Sequence, residues 1–513
     1  MIRENIYFGD KARAKMKEGV DLIAKAVGTS YGPQGNNAVI YNDVLDMTND
    51  GVTIARAVEQ FQTGDLGKDA GIKLLYQAAS KTNKEVGDGT TLTTLLTAAL
   101  INNVKDIESF KKNATKVAGA ISKSILKRSN MKVNKSVLKQ VATVSSRNNK
   151  IGEVVSDVVY KIGENGIIDV NISHKDELVG EVVKGMQFGF GYKTPKLIND
   201  YKSGQYINKN IDILITEDEI STVSSFHSLL LSLERAGKRD LIIICSGVTD
   251  EVVQQMIINK ERGSFHVMFI ESSKEKELQI NFLGDIAVLT DGVVVKDEEY
   301  SMEHLGKASE IRCGQHETII INEPNDSETV KERINDLESL VEKYTNEKKV
   351  SKKLETERRL SLFRGGIGMI SIGSTTEIEN RAKVYLVDDA INACKAALKG
   401  GVIAGGGSAL VRMSEELGTM GSKTAEAFRG AFLDVFSTLV KNTNINTGGL
   451  MMEDISKFIS TDDRRGMDLL KGEKVDNMFE AGIVDPALVF IEALRNATST
   501  AISFVSTDLL IVK

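Results

Sequence analysis

The sequence predicts a soluble, multidomain α+β protein in which two helix-rich ends bracket an α/β middle. Three observations carry that prediction. The chain has 513 residues, and at a typical 100–200 residues per domain that makes roughly three to five units. Hydrophobic residues are 41% and charged residues 27%, a mix that can bury several cores. Apolar spacing is helical up to about Met131 and again from Asp388 onward, whereas short apolar runs alternate with helical stretches between Val182 and Cys313.

The same composition excludes several classes. It is too apolar for a mainly disordered chain, and it is neither collagen-like nor a small disulfide scaffold. The 65 basic and 71 acidic side chains leave a net charge of −6, so no positive field is available for a nucleic-acid backbone. Cys245, Cys313 and Cys394 are odd in number and far apart, and the five histidines are equally scattered. That spacing does not read as a disulfide framework or a structural zinc site, and the compartment reads as reducing and cytoplasmic. The amino terminus has no apolar core segment and does not read as a signal peptide. The uncharged stretch 89–104 is short of the roughly 20 residues a membrane helix needs, and it carries five threonines and two asparagines. Four prolines and no tryptophan fit long helices with few rigid turns.

The first periodic segment runs from Asp10 to Val27. Met16, Val20, Ile23 and Val27 follow steps of four, three and four, with Asp10 a candidate N-cap. Gly28 stops this helix, and Gly32-Pro33-Gln34-Gly35 makes a tight turn. Ala38-Val39-Ile40-Tyr41 reads as a strand and Asn49-Asp50-Gly51 as a turn. Residues 71–104 are helical again, broken at Gly87-Asp88-Gly89. In the middle, 211–215, 241–245, 267–270 and 292–295 are buried-strand candidates, with helices over 224–236 and 250–260. Val330, Ile334, Leu337, Val341 and Tyr344 form a stripe on a charged helical pair whose charges read as a solvated face. Gly365-Gly366 closes that unit, and Gly405-Gly406-Gly407 is a glycine turn within the helical end.

Three glycine turns adjoin helices: Gly32–Gly35, Gly87–Gly89 and Gly405–Gly407. Glycine lets backbone N–H groups close on an anion, and a helix N-terminus adds partial positive charge. On spacing alone each is an ordinary helix start or cap. Neither GxxxxGK[ST] nor GxGxxG is present, so the two common nucleotide fingerprints are missing. Asp50, Asp88, Asp389 and Asp485 each sit beside Gly, Ala or Pro. One such aspartate ordinarily caps a helix; four together could hold a metal and activate water. Sequence separation does not show whether they meet.

Taken in order, Gly32-Pro33, Asn49-Asp50-Gly51-Val52-Thr53-Ile54-Ala55 and Gly87-Asp88-Gly89-Thr90-Thr91 resemble the ATP-binding segments of the chaperonins. The resemblance continues through Gly185-Met186-Gln187-Phe188, Gly191-Tyr192, Asp389-Ala390, Gly401-Val402-Ile403-Ala404-Gly405-Gly406-Gly407 and Gly482-Ile483-Val484-Asp485-Pro486. These segments keep the family's order and near-family intervals over almost the whole chain. The Gly-Met-Gln-Phe segment points to the group I, GroEL-like branch.

The resemblance implies the chaperonin fold. Residues 1–132 and 400–513 would form an α-rich equatorial domain, 133–183 and 368–399 a small intermediate hinge domain, and 184–367 an inserted α/β apical domain. It implies ATP and Mg²⁺ as cofactors, with K⁺ a further candidate, and phosphoryl transfer to water, where positioning and charge neutralisation dominate the rate. Ser30, Tyr31, Gly32 and Pro33 would line the nucleotide, with Asn49 and Gly51 beside them. Gly87, Asp88, Gly89, Thr90 and Thr91 would wrap the phosphates, Asp88 holding the metal. Asp50 and Asp389 would be catalytic, Asp389 arriving on the hinge domain so that hydrolysis reports closure. Gly406, Asp468, Leu469 and Asp485 would meet the adenosine end.

The two middle helices carry stripes at core spacing, Phe226, Leu229, Leu230 and Leu233 on one and Val253, Met256, Ile257 and Ile258 on the other. The resemblance instead places Leu230, Leu233, Val253, Ile257 and Ile258 in an exposed groove for non-native polypeptides, extended by Tyr192 and Leu197. It further implies a homo-oligomeric ring in the bacterial or host-cell cytoplasm, with a co-chaperonin lid as a candidate partner and no nucleic acid or membrane. The chain departs from the family at Asn49 (usually lysine), Ser30 (threonine), Leu92 (threonine) and Asp468-Leu469 (an Asn-Ala pair). Lys196, His227 and the segment 271–276 depart in the apical domain. These departures bear on nucleotide affinity, potassium use and lid contact, and they point to a specialised or virus-encoded member. The competing readings are a passive holdase ring and an unrelated phosphate-binding enzyme. Retention of Asp50, Asp88 and Asp389 together argues against the holdase, because only turnover needs all three.

Overall fold

The computed structural model of the chain describes residues 6–512 other than 43, 165, 174–176, 184, 202, 273–274, 298, 323–327, 348, 375 and 444–451. The chain divides into two compact units. One comprises Met1–Glu164, Val170–Gly180 and Ile370–Lys513, and the other Asn165–Asp169 and Glu181–Met369. The bracketed organisation read from periodicity is therefore real: both chain ends build one unit, and the middle builds another.

The helix Thr90–Asn103 is the axis of the first unit. Its residues Thr93–Ile101 are all buried, and it packs against Gly9–Gly28, Leu66–Val86, Lys423–Lys441 and Ala487–Val505. A helix apolar on every side belongs inside a core, which accounts for the uncharged stretch noted in the sequence. The three threonines buried in its middle fit because each of their hydroxyls is satisfied within a turn. Thr93 donates to the Gly89 carbonyl, Thr94 to Thr90 and Thr97 to Thr93, at 3.0, 2.9 and 2.7 Å. Among the described residues no helix is long and apolar enough to cross a membrane.

The two chain ends meet directly. Ile6–Phe8 pairs antiparallel with Leu509–Ile511, and Arg13 donates to the Asp508 carboxylate at 2.7 Å and the Thr507 carbonyl at 3.0 Å. The second ribbon, Ala38–Asn42 with Val44–Thr48, confirms the strand read at 38–41. The helix Glu377–Gly400 packs on the antiparallel neighbours Lys135–Ser146 and Asn149–Ile162, forming a three-helix cluster in the same unit.

The second unit is built on a seven-stranded mixed sheet. The order is His266–Glu271, Asp240–Cys245, Tyr206–Thr216, Gly306–Cys313, Thr318–Ile321, Gly185–Phe188, with Val294–Val295 beside Tyr206–Thr216. The first three run parallel and the next three pairings are antiparallel. Of the four strands expected from apolar runs three are present in full and the fourth, expected over 292–295, is confined to Val294–Val295; fully buried runs such as Leu241–Cys245 are what a parallel strand covered on two faces requires.

The charged helical pair, Glu328–Asn346 and Val350–Gly365, departs from the expected solvated face at two residues. Asp285 is 2% exposed. Arg333 donates to it at 2.9 and 2.8 Å and Arg359 at 2.6 and 2.8 Å. A buried carboxylate persists only with such partners, so these two arginines point inward while most of the remaining charges face water. Of the predicted apolar stripe, Leu337 is fully buried.

Candidate active site

Each glycine motif has a distinct local cause, and close approach between motifs brings them to one place. Asn49-Asp50-Gly51, read from sequence as a turn, is the start of the helix Gly51–Gln60. Asp50 is its N-cap, accepting from the amides of Val52 and Thr53 at 3.2 and 2.9 Å and from the Thr53 hydroxyl at 2.6 Å. Gly87 ends the helix Leu66–Val86 in the left-handed region at φ 68°, and Gly89, at φ 78°, begins Thr90–Asn103 without any side-chain cap. The first amides of that helix are thus left for a ligand, the arrangement that binds anions. Asp88 sits between the two glycines and accepts from the Gly89 amide at 2.5 Å.

A Cβ on Gly51 would stand 2.3 Å from the Thr91 hydroxyl, and one on Gly87 would stand 2.3 Å from the carboxamide carbon of Asn392. The absence of those two Cβ atoms lets the Asp50 cap touch the Gly-Asp-Gly-Thr-Thr turn and lets that turn touch the helix bearing Asp389. On the far side, Val402–Ala404 pairs antiparallel with Val484–Pro486, setting Ile403 opposite Asp485. Gly406 follows at φ 63°, close to the Met467 carbonyl.

The aspartates repel one another. Burial, then the charge of Asp50, raises the Asp88 carboxyl to about 6 against the pull of the Gly89 amide. Burial raises Asp485 to about 6, with Asp88 adding to it. Asp388, which sequence reading passed over beside Asp389, is raised to about 6 by burial and Asp50. Its side chain also reaches solvent, where water screens its charge. Asp389 is held well above the ordinary carboxylate range, by burial first and then by Asp88, Asp50 and Asp388, with Arg147 pulling the other way. Four carboxylates far apart in sequence, with Asp388 as a fifth, therefore share one field.

The loop 28–35 is the remaining wall. Ser30 is buried and its hydroxyl donates to the Val27 carbonyl at 2.9 Å. Gly32 has φ 93°, and a Cβ there would strike Leu439 at 2.4 Å. Burial pushes the Tyr31 hydroxyl upward, with Asp485 contributing. Asn442 and Arg147, neither singled out in the sequence, hold this loop through its carbonyls.

The TCP-1/cpn60 chaperonin family model matches residues 23–513. The chain belongs to the TCP-1/cpn60 chaperonin family. Its fold is also that of solved structures of the chaperonin gp146 from the bacteriophage EL 2 (Pseudomonas aeruginosa), obtained in the presence of ATP-BeFx. In crystal form II the TM-score is 0.68 at 21% identity, covering 100% of each chain. In crystal form I it is 0.67 at 22% identity, covering 100% of this chain and 99% of the other.

The residues of this chaperonin expected at the adenosine end are placed unevenly. Asp485 stands opposite Ile403 in the Val402–Ala404/Val484–Pro486 pairing, and Gly406 follows two residues after the first of these strands. Asp468 is engaged in its own turn, accepting from the Leu470 and Lys471 amides at 3.0 and 3.2 Å, and Leu469 is buried. Asn49 is half-buried beside the Asp50 cap. Among the described residues no group of three or more His, Cys, Asp or Glu could hold a metal by itself. A magnesium ion at Asp88 would draw its other oxygen ligands from phosphate and water, which is its ordinary habit.

In the second unit the expected open groove is a correction. Leu197, Leu230, Leu233, Val253 and Ile257 are buried, none more than 8% exposed, and they belong to the core under the seven-stranded sheet. The physical reason is periodicity: Leu229, Leu230 and Leu233 on one helix and Val252, Val253, Met256 and Ile257 on the other are the faces turned inward. Ile258 falls past that face and is 45% exposed. Tyr192 is half-buried, its hydroxyl donating to the Gly204 carbonyl at 3.3 Å.

Proposed function

We propose that this chaperonin is a magnesium-dependent ATPase that assembles into a homo-oligomeric ring, captures non-native polypeptides and releases them through ATP-driven movement. The observation that carries the ATPase reading is the convergence of an uncapped helix start at Gly89, its neighbour Asp88, and the aspartates 50, 389 and 485 in one electrostatic cluster. The Gly87–Thr91 turn would cradle phosphates with its amides, and Asp88 would hold the metal. Mg²⁺, bound through those phosphates, would supply the charge neutralisation that phosphoryl transfer needs. Asp50 already accepts three hydrogen bonds, which suits it to a fixed charge that positions water. Asp389, held above the ordinary carboxylate range by burial and by its acidic neighbours, is a stronger base when ionised, which suits the role of proton acceptor. Residues 133–183 and 368–399 would be the hinge that moves it, and 184–367 the client-binding domain, working in the cytoplasm. Purified protein should release phosphate from ATP and stop when magnesium is chelated; phosphate release unaffected by chelation would reject the assignment of Asp88.

A pH dependence follows for nucleotide binding. Asp88 and Asp485 titrate near 6 instead of at their unfolded values near 3.9. Mg·ATP affinity should therefore fall as the pH drops from 8 to 5.5. The nucleotide-free protein should behave in the opposite sense. A raised carboxyl binds its proton more tightly when folded, so its contribution to stability rises as pH falls through 6 toward 4. Calorimetric affinity that is flat over this window would count against the site.

Two surfaces support self-association. The ribbon of the chain ends exposes Ile6, Phe8, Leu509 and Ile511, and the hairpin Ala38–Asn42/Val44–Thr48 exposes Val39, Tyr41 and Leu45. Among the described residues neither ribbon pairs with a third strand, and short apolar ribbons with open edges invite strand addition. Analytical ultracentrifugation should find a large homo-oligomer. A lone 56.0 kDa species across micromolar concentrations would defeat the ring.

A further inference from the structure

Between the helices Lys135–Ser146 and Asn149–Ile162 the chain turns in a two-residue corner, Arg147-Asn148. Asn148 caps the second helix, accepting from the Lys150 and Ile151 amides at 2.9 and 3.3 Å. Arg147 holds φ at 54°, a left-handed conformation that glycine or asparagine adopts more readily. An arginine kept there is kept by its contacts. Its guanidinium donates to the Ser30 carbonyl at 2.9 Å and to the Gly35 carbonyl at 3.2 Å. From another segment, Asn442 donates to the Gly28 and Tyr31 carbonyls at 2.7 and 2.8 Å. Two side chains thus hold four carbonyls of the loop 28–35. The two-armed, planar donor is what arginine offers and lysine lacks.

Arg147 has a second neighbour. Among the charges acting on Asp389, the carboxylates Asp88, Asp50 and Asp388 stand against it and Arg147 is the cation in its favour. The corner's two helices pack on Glu377–Gly400, the helix that carries Asp389. One side chain therefore joins the corner, the nucleotide loop and the reacting carboxylate. We infer that Arg147 is a positioning residue for ATP hydrolysis, fixing the loop 28–35 through its carbonyls and setting the charge that faces Asp389. This rests on the ATPase reading above.

Two variants separate the roles. Arg147→Lys keeps the charge and loses the two-armed donor; Arg147→Gln keeps a donor and loses the charge. In nucleotide-free protein, Arg147→Lys should speed hydrogen exchange of the Gly35 and Asn36 amides about tenfold and raise the Mg·ATP Kd by about as much, the size of one lost charge-assisted hydrogen bond. Its kcat at saturating ATP should stay near wild type. Arg147→Gln should lower kcat roughly tenfold or more. Unchanged exchange and Kd in Arg147→Lys would overturn the loop role, and equal kcat in all three proteins would overturn the charge role. A lower Tm with exchange, Kd and kcat all unchanged would mark a merely structural corner and overturn both. A wild-type protein that does not hydrolyse ATP would instead defeat the ATPase reading, and the exchange measurement, made without nucleotide, would still decide whether Arg147 holds the loop.

Discussion

Asp389→Ala is expected to bind Mg·ATP at least as well as the wild type and to hydrolyse it roughly 10²–10⁴-fold more slowly, the usual loss when a positioned acid–base group is removed. Binding should be spared because Asp389 adds negative charge to a cluster that already holds Asp50, Asp88 and Asp388. Removing it relieves repulsion and leaves the turn at Gly87–Thr91, proposed to cradle the phosphates, intact. The hypothesis is checked by calorimetry beside single-turnover hydrolysis. Equal turnover in the two proteins would remove Asp389 from the mechanism. Asp88→Ala should show the reverse pattern, losing Mg·ATP affinity first.

Ile257→Glu is expected to unfold or strongly destabilise the middle unit. Ile257 is 8% exposed and packs within the core beneath the seven-stranded sheet, and an unpaired carboxylate there costs about 3 kcal/mol or more. Its neighbour tests client capture without that penalty. Ile258 is exposed, so Ile258→Glu should shift stability by no more than about 0.5 kcal/mol. If clients bind on this helix, the same variant should suppress aggregation of a denatured test protein less well than wild type. Thermal melts and aggregation assays on the two variants, side by side, check both statements. A stable Ile257→Glu protein would contradict the burial described here, and a stable Ile258→Glu protein with full capture would move the client site off this helix.

Much of the fold was legible because it depends on local chemistry. The apolar runs 241–245 and 267–270 bury on two faces of a sheet, and the period of Met16, Val20, Ile23 and Val27 is the buried face of Gly9–Gly28. Asn49-Asp50-Gly51 was legible only in part, since the residues that favour a turn are the ones that cap a helix, and the helix that follows decides between them. Arg147 could not be found this way. It lies 117 residues from Ser30, and nothing in a serine- and asparagine-rich corner says which backbone carbonyls its guanidinium will meet. The apical stripe shows the opposite error. Helical spacing picked out Val253, Met256 and Ile257 of the inward face of 250–261 but took in the exposed Ile258 and passed over the buried Val252, and resemblance then assigned that face to solvent. Asp388 was missed for a simpler reason: on a helix, adjacent residues point about 100° apart, and sequence alone does not say how many of two neighbouring aspartates reach a site.

We propose that ATP turnover at the aspartate cluster drives client release. This proposal is tested most directly by the refolding yield of a denatured test protein, measured with ATP for the wild type and for Asp389→Ala. Both proteins should capture the client, and only the wild type should release it folded when ATP is added. A yield that is the same with and without ATP, or the same for the two proteins, would contradict the proposal.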